Sequence, residues 1–225
     1  MDILTKWFPN VIQYSHLFPK EIMNTLIMLF WPGLFSIIIG FVLAVIVVVT
    51  RKDGILPNKP VFWILDKVIN LFRAIPFIIL VPLLTILSVA FFHTSIGIKG
   101  AMIPLTIGTI PFMARQFETA MMEIPEGIIE ASISMGMSPW QIIKNVYLKE
   151  NVPGMIRGIT ITLIALIGQI AIVGSLGAGG LGDLAIRYGS QRRMNDITVV
   201  TIILVLIIIS IIQSVGNKLV ELTTH

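Results

Sequence analysis

The chain has 225 residues, of which 56% are hydrophobic and only 12% charged, with a net charge of +4 and a mean hydropathy of +0.94. That composition excludes an ordinary soluble domain and indicates an integral membrane protein. No basic stripe interleaved with aromatics accompanies the positive charge, which excludes a nucleic-acid surface, and the absence of cysteine excludes disulfides and thiolate metal sites.

Residues 1–21 form a short mixed N-terminal segment whose Trp7, Phe8, Tyr14 and Phe18 suit a membrane interface. No cleavable signal peptide is evident, because the first apolar run is too long and begins too late. Between Glu21 and Arg51 lie 29 residues without a charge. A span needs about 20, so residues 22–50 read as a long or tilted first transmembrane helix. Trp31-Pro32-Gly33 is expected to interrupt and bend it, and Ser36, Gly40 and Ala44 make a small-residue stripe for close helix packing. A cationic turn from Arg51 to Pro60 follows.

The second span is placed at about 70–92, where 25 charge-free residues separate Arg73 from Lys99. Arg73, next to Pro76, has two open roles: it lines a pathway, or it anchors the helix by snorkelling, which is preferred. The third span, about 98–120, is the least apolar, with only 15 charge-free residues between Lys99 and Arg115. Pro104, Gly108 and Pro111 would free carbonyls that neighbouring helices or a wet cavity must satisfy, and Thr106 and Thr109 place hydroxyls there.

A polar island then runs from residue 123 to 153. Glu126–Met135 reads as a short helix behind Pro125, and Gly136 as its corner, since glycine enters the left-handed region without steric cost. Ser138 is the N-cap of a second helix, with Pro139 at its first position and Gln141 closing an S-x-x-Q capping box. Pro139, Ile142, Ile143, Val146 and Tyr147 share one face. The bent pair offers small residues (Ala131, Ser132, Ser134, Gly136) and acids (Glu126, Glu130) to a partner.

The fourth span is placed at 155–176, within 25 charge-free residues from Gly158 to Gly182. Gln169 sits deep in it. A helix across the bundle or a substrate must bond that amide, and the two are weighed equally. Gly177, Gly179 and Gly182 form a formal G-x-G-x-x-G, but it follows an apolar helix with no βαβ unit; a flexible turn is the better reading. The fifth span is 197–217, within 21 charge-free residues between Asp196 and Lys218.

The run Glu130-Ala131, four residues, Gly136 and a following helix resembles the cytoplasmic "EAA" loop of ABC-importer permeases. Family members continue with Ile-x-Leu-Pro, whereas this chain has Tyr147-Leu148-Lys149-Glu150 and its next proline at Pro153. The runs T-S-I-G-I-K-G-A-M-I-P-L-T-I-G and F-R-A-I-P-F-I-I-L, with the glycine-rich turn, resemble the methionine-importer permeases in particular. The resemblance implies an all-α integral membrane protein of the type I importer permease fold, with five transmembrane helices in a permease domain at 22–222 and a cytoplasmic coupling-helix loop. It implies a homodimer that forms the pathway, two ABC ATPase subunits docked on residues 126–150, an external substrate-binding protein or lipoprotein, and a small amino-acid cargo. Glu126, Glu130, Ala131, Gly136, Ser138 and Trp140 would make the ATPase contact, with Arg73, Thr106, Thr109 and Gln169 as pathway candidates.

The chain would not itself be catalytic. It has no G-x-x-x-x-G-K-S/T loop, no H-E-x-x-H and no G-x-S-x-G. His16, His93 and His225 are too scattered for a metal site. No cofactor is expected on it, ATP and magnesium belonging to the partner ATPase. Secondary transport fits poorly, since no internal repeat is seen and no acid is expected within a span. If the 123–153 loop is cytoplasmic, five spans in a bacterial inner membrane put the N-terminus outside and the C-terminus inside. Arg51, Lys52, Lys59, Lys67, Arg73, Arg115, Lys144, Lys149, Arg157 and Lys218 then lie inside, and Lys6, Lys20, Lys99, Arg187, Arg192 and Arg193 outside, in keeping with the positive-inside rule. Two rival readings stand: an importer permease for another small polar solute, and a channel or scaffold subunit without energy coupling, its loop lying on lipid as an amphipathic helix. Glu123, Glu126, Glu130 and Glu150 offset the loop's lysines, which suits a protein groove better than anionic lipid.

Overall fold

A computed structural model describes residues 7–224, so Lys6 and His225 lie outside the described residues, which contain helices and turns and no strand. The helices are α1 (Pro9–Gln13), α2 (Phe18–Thr50), α3 (Lys59–Ala74), α4 (Phe77–Phe92), α5 (Gly97–Met122), α6 (Glu126–Ser134), α7 (Pro139–Ile142), α8 (Val152–Val173), α9 (Leu181–Asp183) and α10 (Asn195–Thr223). Three π-helical stretches, Ile143–Leu148, Gly174–Ala178 and Leu184–Ser190, extend α7, α8 and α9. Among the described residues, four helical stretches are long and apolar enough to cross a membrane: Ser15–Thr50, Gly97–Met122, Val152–Ala178 and Asn195–Thr223. The broken pair α3 and α4 makes a fifth candidate.

The helices depart from the sequence expectation in instructive ways. α2 runs unbroken for 33 residues with Pro32 inside it, about 50 Å at 1.5 Å per residue, so Trp31-Pro32-Gly33 does not interrupt it. α5 likewise keeps Pro104, Gly108 and Pro111 within one helix. The span expected at 70–92 is instead divided. Ile75 (φ −82°, ψ 125°) and Pro76 (φ −56°, ψ 130°) are extended, because the proline ring disfavours helical geometry in the residue before it. The apolar run therefore belongs to α4, and α3 is a separate amphipathic helix that begins where Asn58 Oδ1 accepts the Val61 N–H at 3.2 Å.

The chain forms two compact units. One gathers Phe35–Ile75, Gly108–Thr162 and Gln213–His225. Its core joins Met113, Phe117 and Met121 of α5 to Ile142, Val146 and Tyr147 of the loop, with Ala44 and Val48 of α2. The Ser36, Gly40, Ala44 stripe is buried, and a Cβ on Gly40 would stand 2.9 Å from Met113 Cγ and 3.1 Å from the Ala114 nitrogen, so α2 and α5 approach there as closely as the stripe suggested. A smaller cluster seats Ile69 of α3 against Val47 and Ala114.

The other unit gathers Met1–Leu34, Pro76–Ile107 and Leu163–Ile212. Met28, Val81, Leu105, Leu166 and Ile170 form one core, and Phe18, Leu181, Leu184 and Ile197 a second. The glycine-rich turn is fastened rather than flexible. Gly177, Gly179 and Gly180 take positive φ, the Gly180 N–H donates to the buried Glu21 carboxylate, and the Leu181 N–H donates to Thr25 Oγ1 at 2.9 Å. At the N-terminus, the Asp196 carboxylate accepts the backbone N–H groups of Asn10 and Val11 and the Asn10 side-chain amide.

Candidate functional site

Residues 123–153 build the bent element that the sequence anticipated. α6 follows the extended Pro125 and is capped by Met135. Gly136 turns the corner at φ +80° in open space, with nothing within 4 Å of where a Cβ would stand, so the glycine serves the backbone and not the packing. The corner is closed by hydrogen bonds from the Gly136 N–H to the Ile133 carbonyl (2.9 Å) and from the Met137 N–H to the Ser132 carbonyl (3.1 Å). The capping box forms: Ser138 Oγ accepts the Gln141 N–H at 3.4 Å, while Gln141 Oε1 accepts the Ser138 N–H at 2.7 Å. α7 lasts one turn before it widens into the π stretch.

The element has two faces. Ile142, Val146 and Tyr147 enter the core and Ile143 packs beside them, whereas Pro139 stays exposed. Burial pushes the Tyr147 hydroxyl pKa up against the opposing pull of Arg51. The outer face carries Glu126, Glu130, Ala131, Gly136 and Ser138, all exposed, with Met135 and Trp140 standing 73% and 70% exposed. Ser132, expected among the offered small residues, is turned inward: it is buried and donates from Oγ to the Ile128 carbonyl at 2.8 Å. The exposed apolar side chains of Ile128, Ile133 and Met135 were missed by a reading centred on small residues and acids.

The surface therefore pairs a large apolar area with two acids on a rigidly capped corner. Met and Trp presented in this way are wasted on water and suit an apolar groove in a protein partner. At its base a cavity of about 80 Å³ is lined by Arg51, Asp53, Glu126 and Tyr147, so Glu126 sits at the root of the element rather than at its tip.

The four pathway candidates differ in burial. Arg73 is exposed at the last turn of α3, Thr109 is buried, and Thr106 and Gln169 are half-buried. Thr106 donates from Oγ1 to the Met102 carbonyl at 2.7 Å. The cavities of about 340 and 350 Å³ in the Met28 unit are lined by other residues, among them Thr85 and Ser95 in one and Thr25 and Thr201 in the other.

One polar cluster went unread in the sequence. Arg115 of α5 donates to the Asp66 carboxylate, to Asn70 Oδ1 at 3.0 Å and to the Glu118 carboxylate. Glu118 thus lies inside a candidate span, against the expectation that no span carries an acid. The charge-free count stopped at Arg115, three residues short of it. The i,i+4 spacing of Asp66 and Asn70 and the i,i+3 spacing of Arg115 and Glu118 were the available signals.

The family model described as the inner membrane component of binding-protein-dependent transport systems matches residues 36–221. The "Probable D-methionine transport system permease protein MetI" of Vibrio cholerae serotype O1 is 39% identical over 224 residues, covering 100% of this chain and 98% of that protein. The D-methionine transport system permease protein MetI of Escherichia coli K12 is 42% identical over 155 residues, 69% of this chain and 71% of that one. Among solved structures, an inward-facing conformation of the MetNI methionine ABC transporter superposes with a TM-score of 0.90 at 36% identity over 100% of both chains. An amino acid ABC transporter crystallised with histidines superposes at 0.72 over 96% of each chain; at 18% identity it shows the fold alone.

Proposed function

The chain belongs to the family of inner membrane components of binding-protein-dependent transport systems, and on that premise we propose that it is the permease subunit of an ATP-driven methionine importer. The observation that carries the substrate is the full-length likeness to methionine permeases in both sequence and fold. Among the described residues, no cluster of side chains selects a thioether by itself.

In this reading two copies enclose the pathway, since five spans are few to do so alone. Two ABC ATPases dock on the outer face of residues 126–150, and a binding protein delivers the cargo from outside. The N-terminus lies outside and the C-terminus in the cytoplasm. ATP and magnesium are handled by the ATPases, and this chain binds no cofactor. ATP-driven approach of the ATPases moves the capped corner, and α5, which shares its core, moves with it. Work is transmitted only if the docked surface contacts the two ATPase states differently. Met135, Trp140, Glu126 and Glu130 supply that surface, and its apolar, acid-flanked character favours a protein groove over anionic lipid.

The test is uptake of radiolabelled methionine by proteoliposomes holding the complex, with binding protein outside and ATP supplied to the ATPases. Accumulation that requires both ATP and the binding protein is expected. Equilibration without ATP would support a channel instead, and accumulation of another amino acid would reassign the cargo.

A further inference from the structure

We propose that Arg115, held by Asp66, Asn70 and Glu118, is a transmission latch that makes α3 follow α5 when the docked 126–150 element moves; the inference rests on the importer reading above.

α5 is two-sided over its last three turns. Met113, Phe117, Ala120 and Met121 share a core with Ile142, Val146 and Tyr147. Arg115 and Glu118 fall on the opposite side at 3.6 residues per turn. There the guanidinium spans to α3: one terminal nitrogen donates to the Asp66 carboxylate and to Asn70 Oδ1, the other to Glu118 of its own helix. Asn70 Nδ2 donates in turn to Asp66 Oδ2 at 3.2 Å, so the two acids and the amide are arranged around one cation. The neighbouring Ala114 packs on Ile69 of α3 and on Val47. The route is therefore short. The docked element grips one side of α5, Arg115 grips α3 from the other, and α3 leads through Ile75 and Pro76 into α4.

Stability alone is a weak account of such a cluster. The side chains of Arg115, Asp66 and Glu118 are 16%, 23% and 12% exposed, so two carboxylates are largely removed from water for one guanidinium. Apolar residues of similar volume often replace such groups without loss of stability. What the ionic fork adds is direction. A guanidinium that bonds several acceptors fixes the orientation of both helices, and it resists their separation as well as their collision, whereas apolar packing tolerates sliding.

The experiment uses the complex with its ATPases and binding protein in proteoliposomes, with methionine uptake and ATP hydrolysis measured on the same vesicles. Three variants are compared: Asp66→Asn; a charge-free triple, Arg115→Met with Asp66→Leu and Glu118→Leu; and the exchange Asp66→Arg with Arg115→Asp. Asp66→Asn and the charge-free triple are expected to assemble and to hydrolyse ATP while uptake per ATP falls roughly tenfold, equivalent to about 1.4 kcal/mol. The exchange restores most of the ratio. A charge-free triple that transports at the wild-type ratio would overturn the latch, as would failure of all three variants to assemble, which would make the cluster a folding element. A wild-type complex that takes up no methionine with ATP would instead remove the importer reading, an outcome visible without any variant.

Discussion

Gly136→Val tests whether the corner's backbone geometry, and not its surface, is what the ATPase recognises. At φ +80° the glycine sits where an L-residue is strained, and no neighbouring atom lies within 4 Å of the added Cβ. The perturbation is therefore conformational, with no steric clash to complicate it. Left-handed geometry costs a non-glycine residue roughly 1–2 kcal/mol, which lowers the population of the bent corner about 5–30-fold. Both helices should survive, since α6 is buried through Ser132 and the second helix through Ile142, Val146 and Tyr147. The assay is titration of the purified ATPase subunit against the detergent-solubilised permease. Gly136→Val should weaken the affinity about 5–30-fold, whereas Gly136→Asn, which tolerates this region and adds comparable bulk, should stay near wild type. Equal affinity for wild type and Gly136→Val would refute the geometric argument. Equal impairment by asparagine and valine would show that the ATPase senses added volume instead.

Trp140→Ala should cost at least about 2 kcal/mol of ATPase affinity, as an exposed aromatic anchor does, without lowering the melting temperature of the permease alone. Glu21→Ala leaves the Gly180 N–H without its carboxylate and should destabilise by about 1–3 kcal/mol. A thermal-shift measurement would read that loss at about 2–4 °C per kcal/mol. Burial of Asp183 raises its pKa above the ordinary 3.8, with Arg187 opposing and Glu21 adding to the rise. A raised carboxylate contributes stability that is complete below its unfolded pKa and is lost as pH rises through the folded one. Wild type should therefore lose stability over that interval above pH 3.8 relative to Asp183→Asn, and parallel melting profiles for the two would contradict this.

Local chemistry made the bent 126–150 element legible. Pro125, Gly136, Ser138, Pro139 and Gln141 act on residues at most a few positions away, so their geometry is written in consecutive letters. The small-residue stripe at Ser36, Gly40 and Ala44 could be read for the same reason, because helical periodicity is itself local. The long-range bonds could not. Arg115 and Asp66 are 49 residues apart and Glu21 and Gly180 are 159 apart, and no residue near either partner names the other. The span expected at 70–92 takes in the last turn of α3 together with α4, because an apolar run does not show the extended geometry that Pro76 imposes on Ile75. Conversely, Pro32 looked like a break in α2, yet the chain stays helical through it. Ser132 shows the same limit within the bent element. Composition marks it as a small residue to be offered, but its bond to the Ile128 carbonyl and its place on the inner face bury it.

The most direct test of the central claim is the composition of the complex recovered from native membranes through a tag on the C-terminus. Gentle solubilisation followed by mass measurement of the intact particle should give two copies of this chain with two ATPase subunits carrying the phosphate-binding loop this chain lacks. Recovery of the chain without an ATPase, under conditions that preserve its own dimer, would contradict the docking surface and with it the importer.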